Sequence, residues 1–403
     1  MKRISTLHLI LAACILAGCV SCKQSNDGLP CIDTRNNYPE KEVILTEIAD
    51  VTYVHLSTKN ADYLYRGGIS CVTENSIVVF DDASNSILFF SKDGAPKSRF
   101  NRFGQGPQDY ARMVSKILYH ESTDEVFVSA LIDSKVQVYS STGEYRRTLT
   151  LPQGVFVEEI VFFDNQSLLV YDFAKDRNKA HRANRTETDV IYKTDSSFFL
   201  ISKTDGEVLD YAELPDNDIN LSINGGKDGF VFIEMVRSKY LAKCSRGFLL
   251  SNAYTDTVYL YGKDKSITPI ICKTPLVSNS GPRVMLRGCL DAGLYQYISI
   301  ETTPRDVGSP TSDTRHYLRD KKTGDIFRQK IILPDYEGKE IFINIGYNST
   351  HFLEKGTLIH FELSLSDLKQ AYDENKLNGK LKELVASLNE NEDNNVFMLV
   401  QLK

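Results

Sequence analysis

One hairpin signature recurs along the chain at long, nearly even intervals. An apolar strand end runs into polar residues, then a Gly or Asp-Gly turn, then a second strand. It occurs at Phe89–Gly94, Val138–Glu144, Leu200–Glu207 and Leu318–Asp325, with a degenerate copy at Leu260–Lys265. Counting from positions 94, 143, 206, 265 and 324, the intervals are 49, 63, 59 and 59 residues. Glycine suits such turns because it takes positive φ without steric cost. A period of this length with several short strands per unit is the mark of a β-propeller, one four-stranded blade per repeat. Earlier strands, such as Ser76–Phe80, Glu125–Ser129 and Ser167–Tyr171, lie upstream of the turns. Five blades are legible. A sixth can be closed from both ends, with Phe342–Asn344, Leu358–Glu362 and Val396–Leu402 from the C-terminus and Val43–Leu56 from the N-terminus. Closure removes exposed sheet edges. The expected fold class is therefore all-β, a six-bladed β-propeller over 41–403. A pair of β-sandwiches is the competing architecture, and the even period argues against it.

One stretch departs from the β pattern. Leu368, Ala371 and Tyr372, then Leu381, Leu384, Val385 and Leu388, are apolar at helical spacing on either side of Gly379. A helical pair over about 366–390 is expected inside the last blade, capping one side of the disc.

The N-terminus sets the compartment. Lys2-Arg3 precede an apolar run from Leu7 to Ala17, and Leu16-Ala17-Gly18-Cys19 follows. Basic residues, an apolar stretch and small residues before a cut make a secretory signal. The run is about half the ~20 residues a membrane-spanning helix needs. The Cys after the small residues resembles the lipobox of bacterial lipoproteins, which implies cleavage after residue 18 and acylation of Cys19; Cys14 and Cys22 are the competing positions. Residues 19–40 are polar and turn-rich and read as a flexible tether. The expected location is the cell envelope, lipid-anchored, at the outer membrane.

Removing residues 1–18 takes away two basic residues, so the net charge moves from −6 to −8. A mildly acidic chain without basic runs argues against nucleic acid as a partner. Six Cys remain once Cys14 is removed and Cys19 acylated: Cys22, Cys31, Cys71, Cys244, Cys272 and Cys289. Export permits disulfides, but the irregular spacing and the strand-like surroundings of Cys71 and Cys272 favour buried free thiols.

Several segments together resemble a known group. They are the lipobox, Asn37-Tyr38-Pro39-Glu40-Lys41-Glu42 with Ile48-Ala49-Asp50-Val51, the loop Phe103-Gly104-Gln105-Gly106-Pro107-Gln108-Asp109-Tyr110, Thr274-Pro275, Leu377–Leu381 and the terminal Val396–Lys403. In combination they are similar to the six-bladed β-propeller lipoproteins of unknown function from gut anaerobes. The resemblance spans about 40–403 and implies the fold and the export route. It carries no catalytic residues to transfer.

No catalytic residue is expected. G-x-S-x-G, H-E-x-x-H and a Walker loop are all missing. Gly104-Gln105-Gly106 is followed by Pro107 and Asp109 and reads as a tight connection between blades that presents Arg102, Gln105, Asp109 and Tyr110 at a face. The His residues do not cluster for zinc. Asp81-Asp82 reads as turn rather than as calcium ligands, so neither a metal nor a cofactor is expected. Two insertions stand out. Phe173–Tyr192 is cation-rich, with Arg177, Arg182 and Arg185, and Thr302–Asp313 sits at the equivalent place two blades later. Both are expected on one face, where loops vary without disturbing the blades. The functional expectation is a membrane-anchored binding module for a glycan, a peptide or an envelope protein. The alternative is a metal-dependent hydrolase or lyase with a central-channel site, recognisable by three or more Asp, Asn, Glu or His at the channel mouth.

Overall fold

The structure, a computed structural model, describes residues 28–403 except 59–60, 174–195, 216–221, 225–230, 234–239, 253–254, 279–281, 304–312, 345–348 and 391. The repeats are blades. Blade 1 is Gly67–Val72, Ser76–Asp81, Ser86–Ser91 and Pro96–Phe100, and blade 2 is Val114–His120, Glu125–Ala130, Lys135–Tyr139 and Tyr145–Thr150. Blade 3 is Val157–Phe162, Ser167–Asp172, Phe198–Ser202 and Val208–Ala212; blade 4 is Leu241–Cys244, Gly247–Leu250, Thr257–Gly262 and Ile267–Thr274. Blade 5 is Arg283–Ala292, Tyr295–Thr303, Asp313–Asp320 and Ile326–Ile332. Within each blade the strands are antiparallel and run outward in chain order from the central channel.

All five repeated turns join the third and fourth strands of blades 1 to 5. Their glycines are needed for two reasons. Gly94 has φ +92° and Gly206 φ +88°, conformations that L side chains rarely adopt. Each also packs where a Cβ would strike the end of the preceding blade, His55 for Gly94 and Thr150 for Gly206.

Blade 6 closes the ring from both termini. Its first three strands are Thr350–Leu353, Gly356–Leu363 and Val396–Leu402, and its fourth is Ala49–His55, paired with Val396–Leu402 from Val396↔His55 to Leu402↔Ala49. The shared blade matches expectation, but two members differ. Val43 and Ile44 pair with blade 5, and no strand forms at 342–344; the short strand Glu340–Ile341 just before it also pairs with blade 5. Local propensity marks these runs as β-formers, but only the position of the neighbouring edge decides which blade takes them.

The stretch read as a tether is partly built into the disc. Cys31–Asp33 adds a fifth strand, parallel, to blade 4, and Glu40–Ile44 does the same on blade 5. Cys31 and Cys272 sit opposite one another in that register and form a disulfide, their Cα atoms 4.5 Å apart. Cys71, Cys244 and Cys289 are buried free thiols, as expected, but the same expectation fails for Cys31 and Cys272, because the added strand lays Cys31 directly beside Cys272. The short helix α1 (Leu45–Ile48) turns the strap into blade 6.

Two further α-helices among the described residues interrupt blade 6 between its second and third strands. Helix α2 (Leu365–Asp373) starts at Ser364, whose hydroxyl accepts from the Asp367 N–H, and buries Leu365, Leu368 and Ala371. Helix α3 (Gly379–Ala386) buries Leu381 and Val385. The pair lies on the flank where blades 5 and 6 meet instead of capping the disc. The turn between them bonds to that connection, Glu337 N–H to Lys376 O at 2.8 Å and Asn378 N–H to Asp335 O at 3.0 Å.

The hydrophobic core is a ring of inter-blade clusters. Val54 and Phe397 of blade 6 meet Ile69 and Phe90 of blade 1, Val78 and Phe89 meet Ile117 and Val126 of blade 2, and Phe127 meets Ile160 and Leu168 of blade 3. Tyr171 and Phe198 then meet Leu241 and Phe248 of blade 4, and one cluster runs on through blades 4, 5 and 6. The blades therefore stand in chain order around the ring, and blade 4 lies opposite blade 1.

Candidate functional site: one mouth of the central channel

The first strands of the blades line the channel. At the end where first and second strands are joined by tight turns, a cavity of ≈ 410 Å³ opens. Ser70–Glu74 of blade 1, Leu118–Ser122 of blade 2, Val161 and Phe162 of blade 3, Lys243 of blade 4 and Thr350–Glu354 of blade 6 line it. Its size falls within the ~300–1,000 Å³ typical of small-molecule sites. A second cavity, between blades 2 and 3, continues from it through His120 and Ser122 to Arg147 and Lys203.

Charge is distributed unevenly around this mouth. Deep in the wall, Lys116 Nζ of blade 2 lies 3.0 Å from Glu159 Oε1 of blade 3, both almost fully buried. Lys243 on blade 4 is half-buried and has no ion pair among the described residues. Burial, with Lys263 nearby, holds its ammonium below the ordinary lysine range. The acidic groups lie on the other side. Glu354 is exposed, and its backbone N–H donates to Glu74 Oε1 at 2.6 Å. Glu121 accepts from the Ser76 hydroxyl at 2.6 Å. Burial alone would raise its pKa, but the bonds from Ser76, Thr73 and Asn75 hold it below the usual range. Lys92 offsets part of this charge, donating to Thr73 O at 2.7 Å.

Two histidines join blade 6 to blade 1. The Val72 N–H donates to His351 Nδ1 at 3.2 Å, which leaves His351 Nε2 to donate to His360 Nδ1 at 2.8 Å. His120 stands at the junction of the two cavities, its ring 5.2 Å edge-on from Phe162. Burial, then the Lys203 charge, lowers its pKa. Among the described residues, no group of three His, Cys, Asp or Glu could hold a metal ion.

The residues singled out from the sequence lie elsewhere. Arg102, Gln105, Asp109 and Tyr110 are brought together in the connection from blade 1 to blade 2, beside Ser84 and Asn85 at the opposite end of the blade. Three of them are engaged in holding the loop. The Arg102 Nε–H donates to Gly143 O at 2.9 Å, Asp109 Oδ2 accepts from the Gly106 N–H at 2.9 Å, and the buried Tyr110 hydroxyl donates to Asn85 O at 2.6 Å. Gln105 is exposed. Gln137 and Tyr139 clamp the same loop from blade 2. Arg177, Arg182 and Arg185 lie outside the described residues, as does Cys19. The strands flanking the two insertions are described. The flanking strands are the second and third of their blades, Ser167–Asp172 and Phe198–Ser202, and Tyr295–Thr303 and Asp313–Asp320, and the strand ends that border the insertions are at the end opposite the cavity.

Sequence reasoning passed over Lys243, His120, His351 and the Lys116–Glu159 pair. Aligning the blades on the turn after the first strand would have brought Glu74, Glu121 and Glu354 together, because each lies within two residues of the end of a first strand.

Residues 21–214 match the profile of the DUF5128 family, described as a 6-bladed beta-propeller. The chain is a six-bladed β-propeller. Among solved structures, this propeller is similar to a Bacteroides fragilis protein described as exported, with 15% identity over 93% of this chain and 99% of that one and a TM-score of 0.59. It is also similar to a member of the duf4221 family from Bacteroides vulgatus, with 12% identity over 88% and 97% of the two chains and a TM-score of 0.47. No curated protein matches the sequence.

Proposed function

We propose that this propeller is an exported, lipid-anchored binding module whose ligand enters the channel mouth on the side of the tight turns. The observation that carries this reading is the ≈ 410 Å³ cavity shared by five blades, with Lys243, which has no carboxylate partner among the described residues, in its wall. A packed channel needs no ammonium that lacks a counter-charge, and an open binding site can use one. The Cys31–Cys272 disulfide supports an oxidising compartment, in keeping with the export signal and with a structural neighbour described as exported. Anchoring through Cys19 rests on the Leu16-Ala17-Gly18-Cys19 lipobox. Replacing Cys19 with Ser is expected to abolish metabolic lipid labelling and release the protein from membranes, and labelling that survives would move the site to Cys14 or Cys22.

The binding role is tested by thermal-shift screening of oligosaccharide and peptide libraries against the intact protein and a Ser122→Trp variant. Ser122 is exposed and lines both cavities, so an indole there obstructs the mouth without entering the core. Ligands of the channel should lose their stabilising effect in the variant. A ligand unaffected by Ser122→Trp but weakened by changing Arg177, Arg182 and Arg185 together to Ala would place the site on the insertions at the opposite end.

A further inference from the structure

We infer that the channel mouth takes a short zwitterionic peptide, its carboxylate against Lys243 and its ammonium against Glu354 and Glu74. The inference rests on the channel-mouth reading and adds the chemistry of the ligand. Three observations carry it. Lys243 belongs to blade 4 and is the cation in the cavity wall that lacks a carboxylate partner among the described residues; Lys116 is paired with Glu159. Glu74 and Glu354 stand on blades 1 and 6, with Glu121 of blade 2 beside them. The blades stand in chain order around the ring, so the cation and the carboxylates face one another across the channel.

A purely anionic ligand would satisfy Lys243 but meet the carboxylates, and a purely cationic one would do the reverse. A molecule with one charge of each sign, separated by an uncharged backbone, satisfies both walls. Ser70, Thr73, Thr350 and Phe352 line the same cavity beside the carboxylates, groups that suit peptide amides and small side chains. A tripeptide spans about 10 Å when extended, a reach between its two charges that a free amino acid lacks.

Isothermal titration calorimetry of the intact protein in detergent distinguishes these possibilities. The probes are tri-alanine, N-acetyl-tri-alanine, tri-alanine amide and alanine. Tri-alanine should bind, blocking either end should weaken it by about tenfold, and alanine should bind more weakly than the tripeptide. Lys243→Met should remove the discrimination against the amide and keep that against the acetyl group. The double change Glu74→Gln/Glu354→Gln should do the opposite. Melting curves of the variants check that each remains folded. Absence of tri-alanine binding at millimolar concentration overturns the inference, as do blocked peptides that bind as well as the free one. The channel-mouth reading fails separately, when ligands found by screening ignore Ser122→Trp.

Discussion

Replacing Glu159 with Gln tests what holds the inner wall of the channel together. Lys116 Nζ and Glu159 Oε1 are 3.0 Å apart, on the first strands of adjacent blades, with side chains 4% and 3% exposed. At an effective dielectric near 20 the attraction is roughly 5–6 kcal/mol, and desolvation of the two ions offsets much of it. The pair as a whole therefore adds little net stability. Removing one partner is different, because the buried ammonium loses the Glu159 carboxylate, at a cost of about 3–5 kcal/mol. Unfolding a chain of this size carries an entropy of about 0.8 kcal/mol/K, so Tm should fall by about 4–6 °C. Differential scanning calorimetry at low and at high salt is the assay, since a buried pair is screened little. The double replacement Lys116→Met/Glu159→Met should recover most of the loss. A fall below about 1 °C for Glu159→Gln, or a double variant no better than the sum of the singles, would refute the reasoning.

The disulfide and three half-buried histidines give two further expectations. Cys31→Ser should lower stability by about 2–4 kcal/mol and speed amide exchange in Cys31–Asp33. Reductant should reproduce this in the wild type and do nothing to the variant; a wild type indifferent to reductant sinks the idea. His55, His120 and His316 all have pKa values held below 6.5, chiefly by burial. The unfolded chain takes up protons near pH 6.5 while the folded one resists, so stability should fall as pH drops below about 6.5. A melting temperature that stays flat from pH 7.5 to 5 would contradict this.

What the sequence determined by itself was local. Turn chemistry acts over four or five residues, so Gly94, Gly143, Gly206 and Gly324 announce their hairpins wherever the strands later pack, and their spacing counts the blades. The helical run after Ser364 was legible for the same reason, since its cap and apolar face lie within a few turns. The tertiary structure decided everything that depends on distant partners. Val43–Ile44 has the same strand propensity on either blade, and only ring geometry assigns it to blade 5. Cys31 and Cys272 are 241 residues apart, and nothing near either one signals the pairing. The channel mouth is the extreme case. Its charged groups come one or two at a time from the ends of separate first strands, and only closure of the ring sets Lys243 of blade 4 opposite Glu74 of blade 1.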